Sequence, residues 1–107
     1  MIVDAQLKKG FLEVCILASL RDKDLYGYKL IEDVSKYIKI SESTMYPILR
    51  RLESSGCLTT YVQEHNTRLR KYYKITEEGK RRITDFLRSK EEVMKIYNFI
   101  EGKKEIE

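Results

Sequence analysis

The hydrophobic period of this sequence changes twice, and the order of these changes restricts the possible folds. Up to Gly56 the apolar residues recur every three to four positions, which predicts α-helices. From Cys57 to Ile75 the chain is rich in β-branched and aromatic residues that alternate with polar ones, which predicts two strands. The helical period returns after Thr76. The sequence therefore predicts a mainly α chain with a small β-hairpin.

Three helices are predicted before the hairpin. The first covers roughly Asp4 to Leu20, the second runs from about Tyr26 to Tyr37, and Gly27 permits a neighbouring backbone to approach closely. The third begins at Ser41 or Ser43 and ends at Gly56. The residues expected to face the core are Leu7, Phe11, Leu12, Cys15, Ile16, Leu20, Leu30, Ile31, Val34, Met45, Ile48, Leu49 and Leu52.

A proline interrupts the pattern of the third helix. Pro47 lacks a backbone N–H and crowds the preceding turn, so it costs little only near a helix start. A helix that begins near Ser43 accommodates Pro47 in about its first turn, whereas one that begins at Ser41 should bend there. Local exceptions of this kind are typical of functional sites.

The hairpin is predicted from two short strands. Cys57 to Val62 form the first, residues 63–70 ("QEHNTRLR") form a long basic turn, and Lys71 to Ile75 form the second. Because side chains alternate along a strand, Tyr73 and Ile75 share one face, and we expect that face to be buried.

The last helix is predicted to be long and partly uncovered. Thr76 is a suitable N-cap, and about 24 residues would make a rod of about 36 Å. Such a rod is longer than a core of this size requires, so its apolar stripe is expected to pack on a partner. A heptad rhythm places on this stripe Ile83, Phe86, Lys90, Val93, Tyr97 and Ile100.

Charge is concentrated in the middle of the chain. The formal net charge is +4, and residues 36–74 contain eight basic residues against three acidic ones, so the whole excess lies there. A localised basic excess is expected of a protein that binds a polyanion such as nucleic acid.

Several other classes of protein are disfavoured. No apolar run is long enough to span a bilayer and no convincing signal peptide is present, so we expect a cytoplasmic protein. Cys15 and Cys57 share no metal-binding spacing and His65 is the only histidine, so neither a metal site nor a cofactor is predicted. A redox role for Cys15 is an alternative to its interpretation as a small buried residue. No nucleophile elbow or phosphate-binding loop indicates an enzyme.

Three helices followed by a hairpin, or wing, describe a winged helix-turn-helix. In that fold the third helix enters the DNA major groove and the wing lies against the backbone or the adjacent minor groove. The open face of the third helix would supply hydrogen-bond donors, although Tyr46 could instead pack on the core and the arginines could be merely solvated. The candidate DNA-binding residues are Ser43, Thr44, Tyr46, Arg50 and Arg51 in the helix, and Arg68, Arg70 and Lys71 in the wing.

Three motifs resemble those of the PadR family of transcriptional regulators. They are "YGYKL" (Tyr26 to Leu30), "STMYPILRRLESSG" (Ser43 to Gly56) and "RKYYKITEEG" (Arg70 to Gly79), in the family's order and spacing. The likeness covers about residues 7–100, and it is to the short subfamily with a single C-terminal helix. It implies that residues 1–76 form the DNA-binding domain and that residues 77–107 form a dimerisation helix and tail.

The resemblance also implies how the protein works. It implies a homodimer built from the first and last helices that binds an inverted-repeat operator as a repressor and is released by a small aromatic effector. Some relatives bind flat ligands between aromatic residues of the paired last helices. This chain has no Trp, so Tyr97 and Phe99 are its candidates for that role. The candidate dimer-interface residues are Phe11, Phe86, Val93, Tyr97 and Ile100.

Two alternatives remain open from the sequence. A winged helix can be a protein-interaction module without specific DNA binding. An acidic or neutral wing would indicate that alternative. It can also be a ligand sensor whose DNA affinity is secondary, which would require an aromatic-lined cavity between protomers. The basic wing favours DNA as the partner.

Overall fold

The computed structural model describes residues 5–103, with residues 5 and 6 described by their backbone alone. The ends of the two predicted domains, residues 1–4 and 104–107, lie outside the described residues. The predicted order of elements is confirmed, and one short strand is added to it. The elements in chain order are α1 (Ala5–Ser19), β1 (Leu25–Tyr26), α2 (Gly27–Ser35), α3 (Glu42–Ser54), β2 (Leu58–His65), β3 (Arg68–Ile75), α4 (Glu77–Arg88) and α5 (Lys90–Ile100).

The core lies between the first three helices and the base of the sheet. Most of the predicted inward positions are buried, and Tyr73 and Ile75 are buried on the expected face of β3. Leu17 is buried although it was not among the predicted core residues. Leu7 and Phe11 were predicted to face the core, and both are exposed. The largest fully buried side chains include Ile16, Leu17, Leu20, Leu30, Met45, Leu49, Leu52 and Leu58.

A third strand completes the sheet. β1 pairs with β3 in the antiparallel direction, which gives the order β1-β3-β2. Leu25 faces Tyr73 and Tyr26 faces Tyr72. Two residues cannot display a period of two, so the sequence predicted only a polar loop followed by a helix at this point.

The wing differs from its prediction. The prediction of a long basic turn over residues 63–70 is wrong, because β2 and β3 remain paired as far as His65, which lies opposite Arg68. The turn consists of Asn66 and Thr67, whose φ values are 50° and 64°. Two positive φ values are those of a type I′ turn, whose twist matches that of the flanking strands. The outer half of the wing is exposed on both faces, so it has no alternation of apolar residues to reveal it.

The long C-terminal helix is present, and a single residue divides it. Ser89 separates α4 from α5, and its ψ of −2° departs from helical geometry. α4 is held to the domain through Ile83, which is buried, and through Phe86, whose ring lies edge-on to Phe11 of α1 at 5.4 Å between centroids. α5 buries none of its residues. The long axis of the molecule therefore measures 60 Å against 29 and 21 Å for the other two.

One threonine joins the end of α3 to the start of α4. The Thr76 Oγ1 accepts a hydrogen bond from the Gly79 N–H at 3.1 Å, which confirms the predicted N-cap. The same hydroxyl donates to the Gly56 carbonyl at 2.6 Å, and the Thr76 N–H donates to the Cys57 carbonyl at 3.1 Å. A Cβ atom on Gly79 would lie 2.4 Å from the Cys57 carbonyl oxygen, so only glycine fits there.

Candidate nucleic-acid interface

Helix α3 has a buried side and an open side. Its buried side consists of the four predicted apolar residues, Met45, Ile48, Leu49 and Leu52. The opposite side is exposed and presents Ser43, Pro47, Arg50 and Ser54. This separation follows from the helical repeat of 3.6 residues, which returns a side chain to the same face after three or four positions. The open side of α3 can therefore enter a groove without disturbing the core.

The N-terminus of α3 presents a cluster of hydroxyl groups. Ser41 is the N-cap residue in an extended conformation, and its carbonyl accepts from the N–H groups of Thr44 and Met45. The Ser41 Oγ lies 3.0 Å from the Ser43 Oγ and donates to the Thr44 Oγ1 at 3.1 Å. These exposed hydroxyls can hydrogen-bond phosphates or base edges, and they lie at the helix end whose dipole favours anions.

Pro47 lies inside the helix rather than in its first turn. α3 begins at Glu42, so Pro47 is its sixth residue, and the helix continues to Ser54. Because proline has no N–H, the carbonyl of Ser43 lacks its partner four residues later. Pro47 is exposed, as is Arg50 on the same side of α3.

Tyr46 packs against a glycine at the start of α2. A Cβ atom on Gly27 would lie 2.5 Å from the Tyr46 Oη and 3.2 Å from its ring. Gly27 thus admits a close neighbour, as expected, but the neighbour is a side chain rather than a backbone. The half-buried Tyr46 lines an open cleft of ≈ 260 Å³ toward the wing, together with Tyr26, Gly27, Tyr28, Arg70, Lys71 and Tyr73.

The two arginines of α3 have different surroundings. Arg50 is exposed on the open side. Arg51 lies toward α1, where its Nη2 and Nε donate to the Glu13 Oε1 at 2.9 and 3.2 Å. The other carboxylate oxygen of Glu13 lies 3.8 Å from the Nη1 of Arg82 in α4. Glu13 thus bridges α3 and α4, a role that the sequence did not suggest because the arginines are distant along the chain.

The wing places its three candidate cations on two faces. Arg68 and Arg70 share one face of β3, whereas Lys71 lies on the face that continues into the core. Arg70 stacks on Tyr26, with its Cζ 4.1 Å from the ring centroid. The Lys71 Nζ lies 5.7 Å from the ring centroid of Tyr73. Cation–π contact therefore orients both charges at the base of the wing.

A row of three tyrosines stiffens the base of the wing. The strand register aligns Tyr26, Tyr72 and Tyr61 across the sheet. The rings of Tyr61 and Tyr72 are stacked at 5.5 Å, and Tyr26 meets Tyr72 edge-on at 5.8 Å. The Tyr61 hydroxyl donates to the Asp24 Oδ2 at 2.7 Å, and this hydrogen bond raises the pKa of Tyr61. Sequence reasoning missed the row because it missed β1, which supplies Tyr26.

Both cysteines are free thiols that are at least partly buried. Cys57 is buried, and burial raises the pKa of the half-buried Cys15 thiol, which disfavours its reactive thiolate. Within residues 5–103 no group of three or more His, Cys, Asp or Glu side chains is arranged to hold a metal ion. In the same part of the chain no helix is both long and apolar enough to cross a membrane.

The geometry agrees with three comparisons with known proteins. The model of the transcriptional regulator PadR-like family matches residues 16–85. The chain is 28% identical over 89 residues to the transcriptional regulator Rv3488 of Mycobacterium tuberculosis, which covers 82% of this chain and 83% of that protein. It is 29% identical to a PadR family transcription regulator of Clostridium difficile, whose crystal structure superposes with a TM-score of 0.77 over 84% of this chain and 97% of that one.

A solved complex with DNA is also similar. The structure of Bacillus subtilis PadR bound to operator DNA superposes with a TM-score of 0.66 at 28% identity. The match covers 72% of this chain and 46% of that one, so the Bacillus protein is about twice the matched length.

Proposed function

This chain belongs to the PadR-like family of transcriptional regulators, and from that premise we propose that it is a homodimeric repressor that binds an inverted-repeat operator. The family consists of DNA-binding regulators, and the chain is not an enzyme. The observation that best supports the proposal is the polar open side of α3 beside a basic wing. The similar Bacillus subtilis protein has been solved with operator DNA, which supports DNA as the partner.

The proposed DNA contacts fall into two groups. Arg50 is exposed at the centre of the open side and is suited to bidentate contact with a guanine. Ser43, Thr44 and Tyr46 lie in the N-terminal half of α3, where short polar side chains reach phosphates and base edges. The residues expected to contact phosphates are Arg51, Arg68, Arg70 and Lys71.

We assign dimerisation to residues 77–107 and DNA binding to residues 1–76. α5 exposes an apolar stripe that its own chain leaves uncovered, and a second copy is the partner expected from the family. Phe11 and Phe86 already contact each other within one chain, and the area they leave exposed would join the interface. The proposed interface residues are Phe11, Phe86, Val93, Tyr97 and Ile100.

A two-fold dimer determines the spacing of the operator. Two symmetry-related α3 helices would enter successive major grooves, so the half-sites should be about 10 bp apart or a small multiple of that. A flat aromatic effector would bind between the paired α5 helices. Tyr97 and Phe99 are 49% and 80% exposed in the single chain, so its own residues cover neither ring.

The experiment that tests this function is DNA binding measured by fluorescence anisotropy. The probe is a duplex from just upstream of the protein's own gene, compared with a scrambled duplex over a series of salt concentrations. We expect preference for the upstream duplex and an affinity that falls steeply with salt, because phosphate contacts release counterions. Absence of binding to either duplex at low salt would overturn the proposal in favour of a protein-interaction module.

A variant pair sharpens the same experiment. Arg50→Ala should cost about 1–3 kcal/mol of binding free energy and relax specificity at one base position. Lys80→Ala removes an exposed cation from α4 and serves as the control, because Lys80 lies outside the proposed interface. If Arg50→Ala weakens binding to both duplexes equally, Arg50 contacts a phosphate rather than a base.

A further inference from the structure

Helix α3 has two flanks besides its buried and open sides. Thr44 and Arg51 are seven positions apart and therefore share one flank, which faces α1. Tyr46 lies on the other flank, which faces the wing. The proposed DNA contacts on the wing side are numerous, whereas the α1 side has so far contributed only Thr44 and Arg51.

A basic cleft lies along the α1 flank. It has a volume of ≈ 330 Å³, and its lining residues are Lys8, Lys9, Leu12, Thr44, Ile48 and Arg51. Leu12 and Ile48 are buried and form the floor, while the cations and the threonine hydroxyl stand at the rim. No carboxylate lines this cleft among the residues that the structure describes.

The two lysines supply the free charge of this cleft. Arg51 is partly neutralised by its ion pair with Glu13. Lys8 is half-buried and Lys9 is exposed, and neither forms a salt bridge within residues 5–103. A lysine ammonium is a point donor that suits phosphate oxygens, and an exposed threonine hydroxyl can donate beside it.

Cations thus border α3 on both sides. Arg70 and Lys71 line the cleft on the wing flank, and Lys8, Lys9 and Arg51 line the cleft on the α1 flank. A helix in the major groove, which is about 12 Å wide, has one phosphate backbone on each side. We propose that Lys8 and Lys9 of α1 bind the DNA backbone on the groove wall opposite the wing, so that α3 is clamped between two phosphate contacts.

This inference rests on the proposed function, and its test separates the two. The double variant Lys8→Gln/Lys9→Gln removes both charges and keeps helix-compatible side chains. The control Lys80→Gln/Lys103→Gln removes the same charge from exposed positions in α4 and in the segment that follows α5. Each protein is titrated with the upstream and the scrambled duplex over a salt series.

Each protomer would lose two phosphate contacts, so the proposed dimer would lose four, and the slope of log K against log salt should fall in magnitude by about 3.6. We expect this reduction for the α1 double variant on both duplexes, with the preference between duplexes unchanged, and no reduction for the control. Arg70→Gln removes one contact from each protomer and should reduce the magnitude of the slope by about 1.8, and the combined variant should show the sum, since the two contacts are independent. An unchanged slope in the α1 variant, alongside a reduced slope for Arg70→Gln, would overturn this inference and leave the proposed function intact.

Neutral methylphosphonate linkages locate the contact. When they are placed one at a time in the duplex, we expect binding of the unmodified protein to weaken at two groups of phosphates, one on each groove wall. In the Lys8→Gln/Lys9→Gln protein, the effect should vanish on one wall alone. The assignment would be contradicted if the Lys8→Gln/Lys9→Gln protein lost the effect on both walls, or if it kept the effect on both walls. If the parent protein binds neither duplex at low salt, the proposed function itself fails.

Discussion

Most leucine and isoleucine side chains of α1, α2 and α3 are buried, whereas those of α5 face solvent. Ile16, Leu30 and Leu49 are at most 1% exposed, while Ile96 is 53% and Ile100 is 71% exposed. Both regions are amphipathic helices, so their sequences alone look alike. The difference lies in what covers the apolar stripe. In the winged-helix part (residues 5–76) the chain covers most of its own apolar stripe, and for α5 the proposed cover is a second copy of the chain.

The largest expected effect comes from removing the uncovered region. Deleting residues 91–107 should abolish the proposed dimer while leaving the winged-helix part folded, because α5 contributes no buried side chain to that core. Sedimentation velocity reports the mass, and circular dichroism reports the fold. A stable dimer after truncation would refute the α5 interface and erase the contrast between the two regions.

A point variant guards against non-specific effects of the deletion. Val93→Glu places a charge on the apolar stripe and should also give a monomer, since an unpaired buried carboxylate is costly. Lys23→Gln changes the net charge equally in the exposed loop between α1 and β1, and should leave the dimer intact.

The second prediction compares one apolar residue from each region. Leu49→Ala should lower the free energy of unfolding by about 3–5 kcal/mol, because it opens a cavity in a closed core. Ile100→Ala should leave the unfolding of the separated protomer unchanged within about 0.5 kcal/mol and weaken dimer association instead. Urea unfolding at several protein concentrations distinguishes the two, since association depends on concentration and protomer stability does not. Equal losses in both variants, independent of concentration, would mean that α5 belongs to the core.

The sequence predicted most of the closed core because burial imposes a period. Met45, Ile48, Leu49 and Leu52 were all assigned correctly, and so was the face of Tyr73 and Ile75. It failed where long-range geometry decides. Nothing in the chain indicates that Glu13 would meet Arg51 and Arg82, or that strand pairing would align three tyrosines. The outer wing was missed because exposure on both faces leaves no apolar pattern.

The third prediction tests how tightly the closed region is packed. Gly79→Ala should cost about 1–3 kcal/mol, because the new methyl group would lie 2.4 Å from the Cys57 carbonyl oxygen and force the backbone apart. Gly10→Ala is the matched control in the middle of α1, where nothing lies within 4 Å of the new Cβ. It should stabilise the protein by about 0.5–1 kcal/mol through helix propensity. If both variants shift the melting temperature in the same direction, the connection between α3 and α4 is packed less tightly than its geometry indicates.

The smallest effect concerns the outer wing, which is as exposed as α5 but needs no partner. Its cross-strand hydrogen bonds hold it, and its two-residue turn requires positive φ values that Thr67, as a β-branched residue, adopts with strain. Thr67→Gly should therefore stabilise the protein by about 1 kcal/mol. The control Thr59→Gly, in the paired part of β2, should destabilise it by a similar amount. Urea unfolding measures both. A destabilised Thr67→Gly protein would show that the wing is shaped by contacts beyond its own backbone, as proposed for α5, whereas the expected gain would place the wing with the self-sufficient region.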